Sequence, residues 1–419
     1  MKRLLLLSTT TGYQARMFRE AAERMGVPLV LATDRCHQLE DPWRDGAISM
    51  TFQEPAESAA KIREHALHDP IQGIAAIGDL PTATAAAAAE ALGLPFHTRE
   101  AVECARDKFL ARRCFQQAGM RVPWYSRFKL ISDPGQAASA VPYPCVLKPL
   151  GLSASRGVIR ANTPTEFVAA FERIRALLES KDVKILRQQS AGWIQVESFI
   201  PGREIALEGL VTSGRLQVLA IFDKPDPLDG PFFEESIYVT PSRLPATVQQ
   251  SIADCAQQAI SALGLTHGPV HAEMRLNDEG PWILEVAARP IGGLCAGALR
   301  FQRNGSLISL EELILRHALG EDVSELPRET AASGVMMIPI PQAGVYEGVD
   351  GLEDARDVPQ IERIEITAKY RQKLVPLPEG ASYLGFIFAR AVTPEAVENA
   401  LRQSHARLHF LISAEIPVM

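Results

Sequence analysis

Two glutamates, Glu273 and Glu285, stand on neighbouring apolar segments of GPVHAEMRLNDEGPWILEVAARPIGG, and Arg289 follows the second. Residues 266–276 and 281–287 read as strands joined by the tight turn Asn277-Asp278-Glu279-Gly280. Paired as a hairpin, they bring both carboxylates to one face, where a hard cation would sit with Arg289 close by. Mg²⁺ suits such a place, because it is held by few carboxylates and completes its shell with water and phosphate oxygens. A magnesium–arginine clamp fits chemistry that moves phosphoryl groups. The same residues also read as a plain hairpin with two solvent-facing glutamates, and that alternative stays open here.

Two lysines carry a related signal, Lys108 in ARDKFLARRCFQQAG and Lys148 in YPCVLKPLGLSASRGV. Lysine is a compact, mobile point charge suited to phosphate. Lys148 ends a short strand beside a loop holding Gly151, Ser153, Ala154, Ser155 and Gly157, whose small residues let backbone N–H groups and hydroxyls come close to a phosphate chain. No GxxxxGK[ST] occurs, so this is not a Walker A loop, and an ordinary hairpin turn is the competing reading. In WIQVESFIPGREIALEG, a strand leaving its sheet at 197–200 can offer backbone to a purine edge. Glu204, past the turn, can accept two ribose hydroxyls; a hairpin with exposed glutamates is the alternative.

These groups must be positioned by a larger frame. At 419 residues the chain exceeds one ordinary core, so several domains are expected. Apolar content of 47% and charged content of 22% are those of a globular protein. A net charge of −7 with no basic tail argues against a general nucleic-acid binder. The six cysteines, at 36, 104, 114, 145, 255 and 295, show neither a CxxC pair nor metal-ligand spacing. Scattered in this way, they suit reduced thiols in the cytoplasm. Leu4–Leu7 is too short for a signal core and reads as a buried strand. No run reaches the length of a membrane helix.

Over 1–95, short apolar runs alternate with helical patterns, the mark of a doubly wound parallel sheet. Gly12 falls between the first strand and first helix, where backbone N–H groups can meet an anion. A charged helix is expected over 106–118, ending at Gly119. Further strands are expected over 144–149, 157–160, 194–200, 204–211 and 216–222, with helices over 165–179 and 247–263. A helix over 310–319 closes this block, and 330–419 reads as a mixed strand-and-helix tail.

Taken in order, these motifs resemble the ATP-grasp superfamily, in its biotin-carboxylase-like branch and especially the L-amino-acid ligases that make dipeptides. The resemblance runs over nearly the whole chain. It implies a mixed α/β and α+β fold: an N-terminal doubly wound domain over 1–95, a two-subdomain ATP-grasp domain over 96–320 with a lid near 126–188, and a C-terminal mixed domain over 321–419. It implies ATP as cosubstrate and Mg²⁺, replaceable by Mn²⁺, as the metal. Lys108 and Lys148 would contact the phosphates under the 153–157 loop, including Ser153, Ser155 and Gly157. The Glu197 carbonyl and Ile200 N–H would take the adenine, and Glu204 the ribose. Glu273 and Glu285 would hold the metal, and Arg289 would steady the transferred phosphoryl and the acyl phosphate. Many members carry an asparagine at the position of Ala287, which puts the geometry of a second metal in doubt.

The implied reaction joins a small-molecule carboxylate and an amine into an amide, releasing ADP and phosphate. For the substrates, Gly292 and Gly293 would offer N–H groups to a carboxylate, and Glu235 or Glu234, on a loop with Lys224, would take an α-amino group. His271, alternating with Glu273, would touch substrate or serve as a structural histidine. A cytoplasmic homodimer is implied, with neither nucleic acid nor membrane as partner. Two other readings share the motifs: a ligase or carboxylase of purine or cofactor biosynthesis, and a regulatory ATP-binding protein without catalysis.

Overall fold

The run Leu4–Leu7 forms β1, all four side chains fully buried, as a central parallel strand covered on both faces requires. Beside it lie β2 (Leu29–Thr33), β3 (Ile48–Ser49) and β4 (Gly73–Ala76), all parallel, in the order β3-β2-β1-β4. Helices α1 (Ala15–Met25), α2 (Pro55–His68) and α3 (Asp79–Leu92) alternate with these strands. The computed structural model describes residues 2–9, 14–34, 46–184 and 189–414. Gly12, expected at an anion-binding turn, lies outside the described residues, as does Cys36. The five described cysteines are free thiols.

The charged helix expected over 106–118 is α5 (Lys108–Gln117), and a further helix not anticipated, α4 (Arg99–Arg106), precedes it. Asp107 causes the break. Its backbone is extended, and its carboxylate accepts from the N–H groups of Phe109 at 2.8 Å and Leu110 at 3.0 Å. That cap satisfies N–H groups the helix itself cannot, and it fixes Lys108 in the first turn.

The segment expected as a lid forms an antiparallel sheet of β5 (Tyr125–Lys129), β6 (Cys145–Pro149), β7 (Ile159–Ala161) and β8 (Trp193–Ser198), ordered β5-β8-β6-β7. Helices α6 (Pro134–Ala138), α7 (Pro164–Glu179) and α8 (Lys181–Lys184) accompany it. Phe167, Phe171 and Ile174 of α7 share a core with Leu147 and Val196. Since β8 is the second strand of this sheet, the lid runs past the expected limit at 188.

The main sheet takes β9 (Arg203–Thr212), β10 (Arg215–Asp223), β11 (Ile237–Thr240), β12 (Gly268–Asn277) and β13 (Gly280–Ala287), with α9 (Ala246–Leu263) among them in sequence. The hairpin β14 (Arg300–Arg303) and β15 (Ser306–Ser309) leads into α10 (Leu310–Ala318). The tail supplies β16 (Ala332–Ile338), β17 (Gly344–Asp350), α11 (Leu352–Arg356), β18 (Ile361–Ile366), β19 (Lys373–Leu374), β20 (Gly385–Ala391), α12 (Pro394–His405) and β21 (His409–Ser413). The sheet does not stop at residue 320: its order is β13-β12-β9-β10-β11-β16-β20-β18, joined by β11 and β16 from Ile237↔Met336 to Thr240↔Ser333. Strands β17, β19 and β21 form a separate small sheet. Among the described residues no helix is long and apolar enough to cross a membrane.

A histidine ties the first unit to the main sheet. His97 is 1% exposed; its Nδ1 accepts from the N–H groups of Thr266 (3.2 Å) and His267 (3.3 Å), and its Nε2 meets the Pro269 carbonyl at 3.3 Å. A ring accepting at Nδ1 has to be neutral, and burial lowers its pKa from 6.5 to about 4. His317, stacked on His267 at 4.1 Å, is likewise lowered by burial to about 4. The unfolded chain takes up these protons from pH 6.5 downward while the folded one resists, so stability is full above that pH and is lost as pH falls toward 4. We expect a loss on the order of a few kcal/mol across this window. Thermal unfolding at pH 7 and pH 4.5 measures it, and equal midpoints would contradict the assignment.

Candidate active site

Glu273 and Glu285 are direct register partners across β12 and β13, with a bulge just after Glu273. Cross-strand partners share a face of the sheet, so both carboxylates open on the same cleft. Lys108 Nζ lies 3.8 Å from Glu285 and donates to the Leu152 carbonyl at 2.8 Å. Burial alone would raise the Glu273 pKa; Lys224 and His271 overcome it and hold the carboxyl well below its usual range.

Lys148 is fixed by a buried carboxylate. Its Nζ donates to Glu197 at 2.6 Å, while Arg112 donates to the two Glu197 oxygens at 2.7 and 3.2 Å and Gln195 donates at 2.6 Å. Glu197 is only 2% exposed, yet Arg112 and Lys148 outweigh burial and bring its pKa down to about 2. From the sequence, only the Glu197 carbonyl has an expected role. Its side chain has a task of its own: it neutralises two cations and sets where Lys148 points.

Past β8 the chain leaves the lid sheet. The N–H groups of Ser198 and Phe199 donate to the Trp124 and Pro144 carbonyls, both at 2.9 Å. Arg275, buried on β12, donates to the Ile200 carbonyl at 3.1 Å and sits 4.8 Å over the Phe199 ring. It also lies 3.4 Å from Glu204. Lys224, buried just after β10, donates to Glu204 at 2.8 Å and to Glu235, and stands 3.7 Å from Glu273. These three carboxylates lie close enough together to share one cation, and here the ammonium of Lys224 serves them all. They raise its pKa well above normal against the effect of burial.

Arg289 reaches back to the first unit. Its Nε and Nη2 donate to the two Asp79 oxygens at 2.8 and 3.1 Å, and its Nη1 to the Pro290 carbonyl at 3.0 Å. Asp79 opens α3. The peptide of Ile291 is gripped on both sides: Glu208 accepts from its N–H at 3.1 Å and Gln14 donates to its carbonyl at 2.9 Å. Glu208 also meets His271 Nδ1 at 3.0 Å, and His271 Nε2 lies 3.6 Å from Glu273. These two carboxylates outweigh burial and raise the His271 pKa to about 9. Ala287 faces His271 across the hairpin.

Of the anticipated residues, Lys108, Lys148, Ser153, Ser155, Glu197, Ile200, Glu204, Glu235, Glu273, Glu285 and Arg289 line one cleft, whereas Gly157, Lys224, Glu234, His271, Gly292 and Gly293 do not. Gly157 spends its N–H on the Pro378 carbonyl at 2.8 Å. His271 sits behind Glu273, and the two glycines lie beyond Arg289. Arg112, Arg275, Glu208 and Asp79 were not anticipated. Arg275 was within reach, since 271, 273 and 275 alternate onto one strand face.

Family profiles match three successive stretches: an ATP-grasp N-terminal domain over 19–96, an ATP-grasp domain over 141–298, and L-amino acid ligase C-terminal domain 2 over 336–413. The chain carries an ATP-grasp domain and its N-terminal companion. Among solved structures, this ATP-grasp chain is similar to L-amino acid ligase from Bacillus licheniformis, 26% identical with a TM-score of 0.81 over 99% of both chains. It is 29% identical to alanine–anticapsin ligase of Bacillus subtilis over 228 residues, 51% of this chain and 47% of that one. The match thus spans about half the length of that relative. N5-carboxyaminoimidazole ribonucleotide synthetase from Thermotoga maritima shares the fold, at 16% identity and a TM-score of 0.67 over 99% of this chain and all of that one. The cleft fits what an ATP-grasp protein binds. Glu273 and Glu285 are facing, partly exposed carboxylates of the kind a hard cation takes, and two lysines with a small-residue loop stand beside them.

Proposed function

We propose that this protein is an ADP-forming carboxylate–amine ligase that joins two amino-acid-like substrates, most simply into a dipeptide. The observation that carries the reading is the gathering of the Glu273–Glu285 pair, Lys108, Lys148 and Arg289 in one cleft. A carboxylate is a poor electrophile until one oxygen is made a leaving group. Lys108 and Lys148 would hold the ATP phosphates, with Glu197 fixing Lys148 and Ser153 and Ser155 covering the chain. The Glu197 carbonyl and Ile200 N–H would take the adenine, and Glu204, steadied by Arg275 and Lys224, the ribose. Magnesium held by Glu273 and Glu285 would supply charge neutralisation on the phosphates.

A donor carboxylate oxygen takes the γ-phosphoryl group, giving ADP and an acyl phosphate. The amine then attacks the carbonyl carbon, and the tetrahedral adduct collapses with loss of phosphate and a proton. Arg289 has five N–H donors, of which the contacts to Asp79 and Pro290 use three. Among the described residues the other two have no partner, and they would serve the developing oxyanion. Glu235 would recognise an α-amino group, and the backbone at Gly292 and Gly293 a carboxylate.

One observation favours amino acids over a phosphorylated purine precursor: the L-amino acid ligase C-terminal match. Arg16 and Arg19, for their part, lie exposed on α1, paired with Glu20 and Glu23 at 3.4 and 3.9 Å. Isotope transfer tests the mechanism. With ¹⁸O in the donor carboxylate, one labelled oxygen per turnover should leave in the phosphate; amide formed alongside unlabelled phosphate would exclude the acyl phosphate.

A further inference from the structure

The loop over the cleft is gripped from outside by the C-terminal unit. Between β19 and β20, the Pro378 carbonyl accepts from the Gly157 N–H at 2.8 Å, and the Glu379 carbonyl accepts from Arg156 Nε at 2.7 Å. The Glu379 carboxylate takes both Nε and Nη2 of Arg173 on α7, the latter at 2.9 Å. Two adjacent residues of the tail therefore hold the end of the loop and the lid helix together.

The loop needs such holding. Ala154 and Ser155 lie in the left-handed region, at φ 57° and 54°, a conformation that costs energy unless its surroundings enforce it. Gly157, at φ 74°, has no room for a side chain, since a Cβ there would come within 2.6 Å of Pro149 Cγ. At the other end, the Leu152 carbonyl is held by Lys108 at 2.8 Å. The segment is thus pinned at one end by a cleft lysine and at the other by residues more than two hundred positions later in the chain.

We propose that Pro378 and Glu379 are positioning residues for this loop: the C-terminal unit clasps the lid and sets the loop's closed position over the phosphate end of the cleft. The proposal rests on the nucleotide reading of the cleft and adds to it that nucleotide affinity depends on the C-terminal unit.

Charge reversal in the full chain tests it. Glu379→Arg sets a like charge against Arg173 and Arg156 at a surface position where the fold tolerates it, and an unfolding midpoint checks that it does. Two readouts are taken: calorimetric binding of the non-hydrolysable analogue AMP-PNP with Mg²⁺, and hydrogen exchange over 150–160. Affinity should fall about five- to tenfold and exchange over 153–157 should rise, while kcat at saturating ATP stays within about twofold. Adding Arg173→Glu, which restores the pair with its signs exchanged, should recover most of both effects. Unchanged exchange and affinity, or no recovery in the double variant, would overturn the clasp. Exchange that responds and recovers with affinity unmoved would overturn the positioning role. A wild-type protein that binds no AMP-PNP while exchange still responds would instead sink the nucleotide reading, and the positioning role with it.

Discussion

Glu285→Ala should abolish amide formation while leaving the fold intact. The side chain stands on β13 with about a third of its surface open to the cleft, at 32%, and its cation neighbour Lys108 keeps the Leu152 carbonyl when the carboxylate is gone. No buried partner is orphaned, so stability should change by less than about 1 kcal/mol. Activity has no such buffer. A carboxylate that holds the charge-neutralising cation against the phosphates is expected to matter by roughly 10³-fold or more in turnover. Glu273→Ala would be harder to interpret, because Glu273 also balances Lys224 and His271. Steady-state rates with a thermal melt decide the matter: a folded Glu285→Ala protein that turns over ATP at the wild-type rate would refute the metal assignment.

The second large effect is at Arg289. Its guanidinium is oriented by the fork-to-fork contact with Asp79, in the planar two-point geometry arginine favours. Arg289→Lys keeps the charge but loses that fork. We expect kcat to fall about 10²–10³-fold with KM for ATP within a few-fold, because the donors matter most as charge develops on the reacting oxygen. Asp79, with 28% of its side chain open, would keep a point charge nearby but lose the two-point contact that helps hold it ionised, at a cost on the order of 1 kcal/mol. Asp79→Asn combined with Arg289→Lys therefore serves as the fold control. It should regain stability without regaining rate. A single variant whose kcat stays within about twofold of wild type would remove Arg289 from the chemistry.

The hairpin was legible because two signals agreed: apolar alternation marked the strands, and Asn277 to Gly280 marked the turn. The register of the carboxylates was not, since the turn alone would set Glu273 opposite Leu284; the bulge after Glu273 shifts the pairing by one and brings Glu285 opposite it. The strand-ending Lys148 and the small-residue loop were legible for similar local reasons. Asp107 was a missed local signal. An aspartate directly before an amphipathic run is a helix cap, and reading it so would have started the helix at the right residue.

Other features could not be read locally. The Glu197 side chain looks exposed in a hairpin and becomes a buried anchor only because Arg112 and Lys148 approach from other elements. Asp79 meets Arg289, and Gln14 meets Ile291, across the seam between the first unit and the main sheet. The boundary expected at 320 reflects a change in sequence rhythm, whereas β11, too short for a period of its own, carries the sheet across it. In each case the deciding neighbour is distant in sequence.

The central claim is that one cleft couples ATP cleavage to amide formation. It is tested most directly by ATP- and Mg²⁺-dependent phosphate release across a matrix of paired L-amino acids, with mass spectrometry of the products. The account predicts phosphate and ADP only in wells holding a productive pair, together with a new mass equal to the sum of the pair less water. Phosphate released at the same rate whichever amino acids are present, with no amide mass in any well, would contradict it.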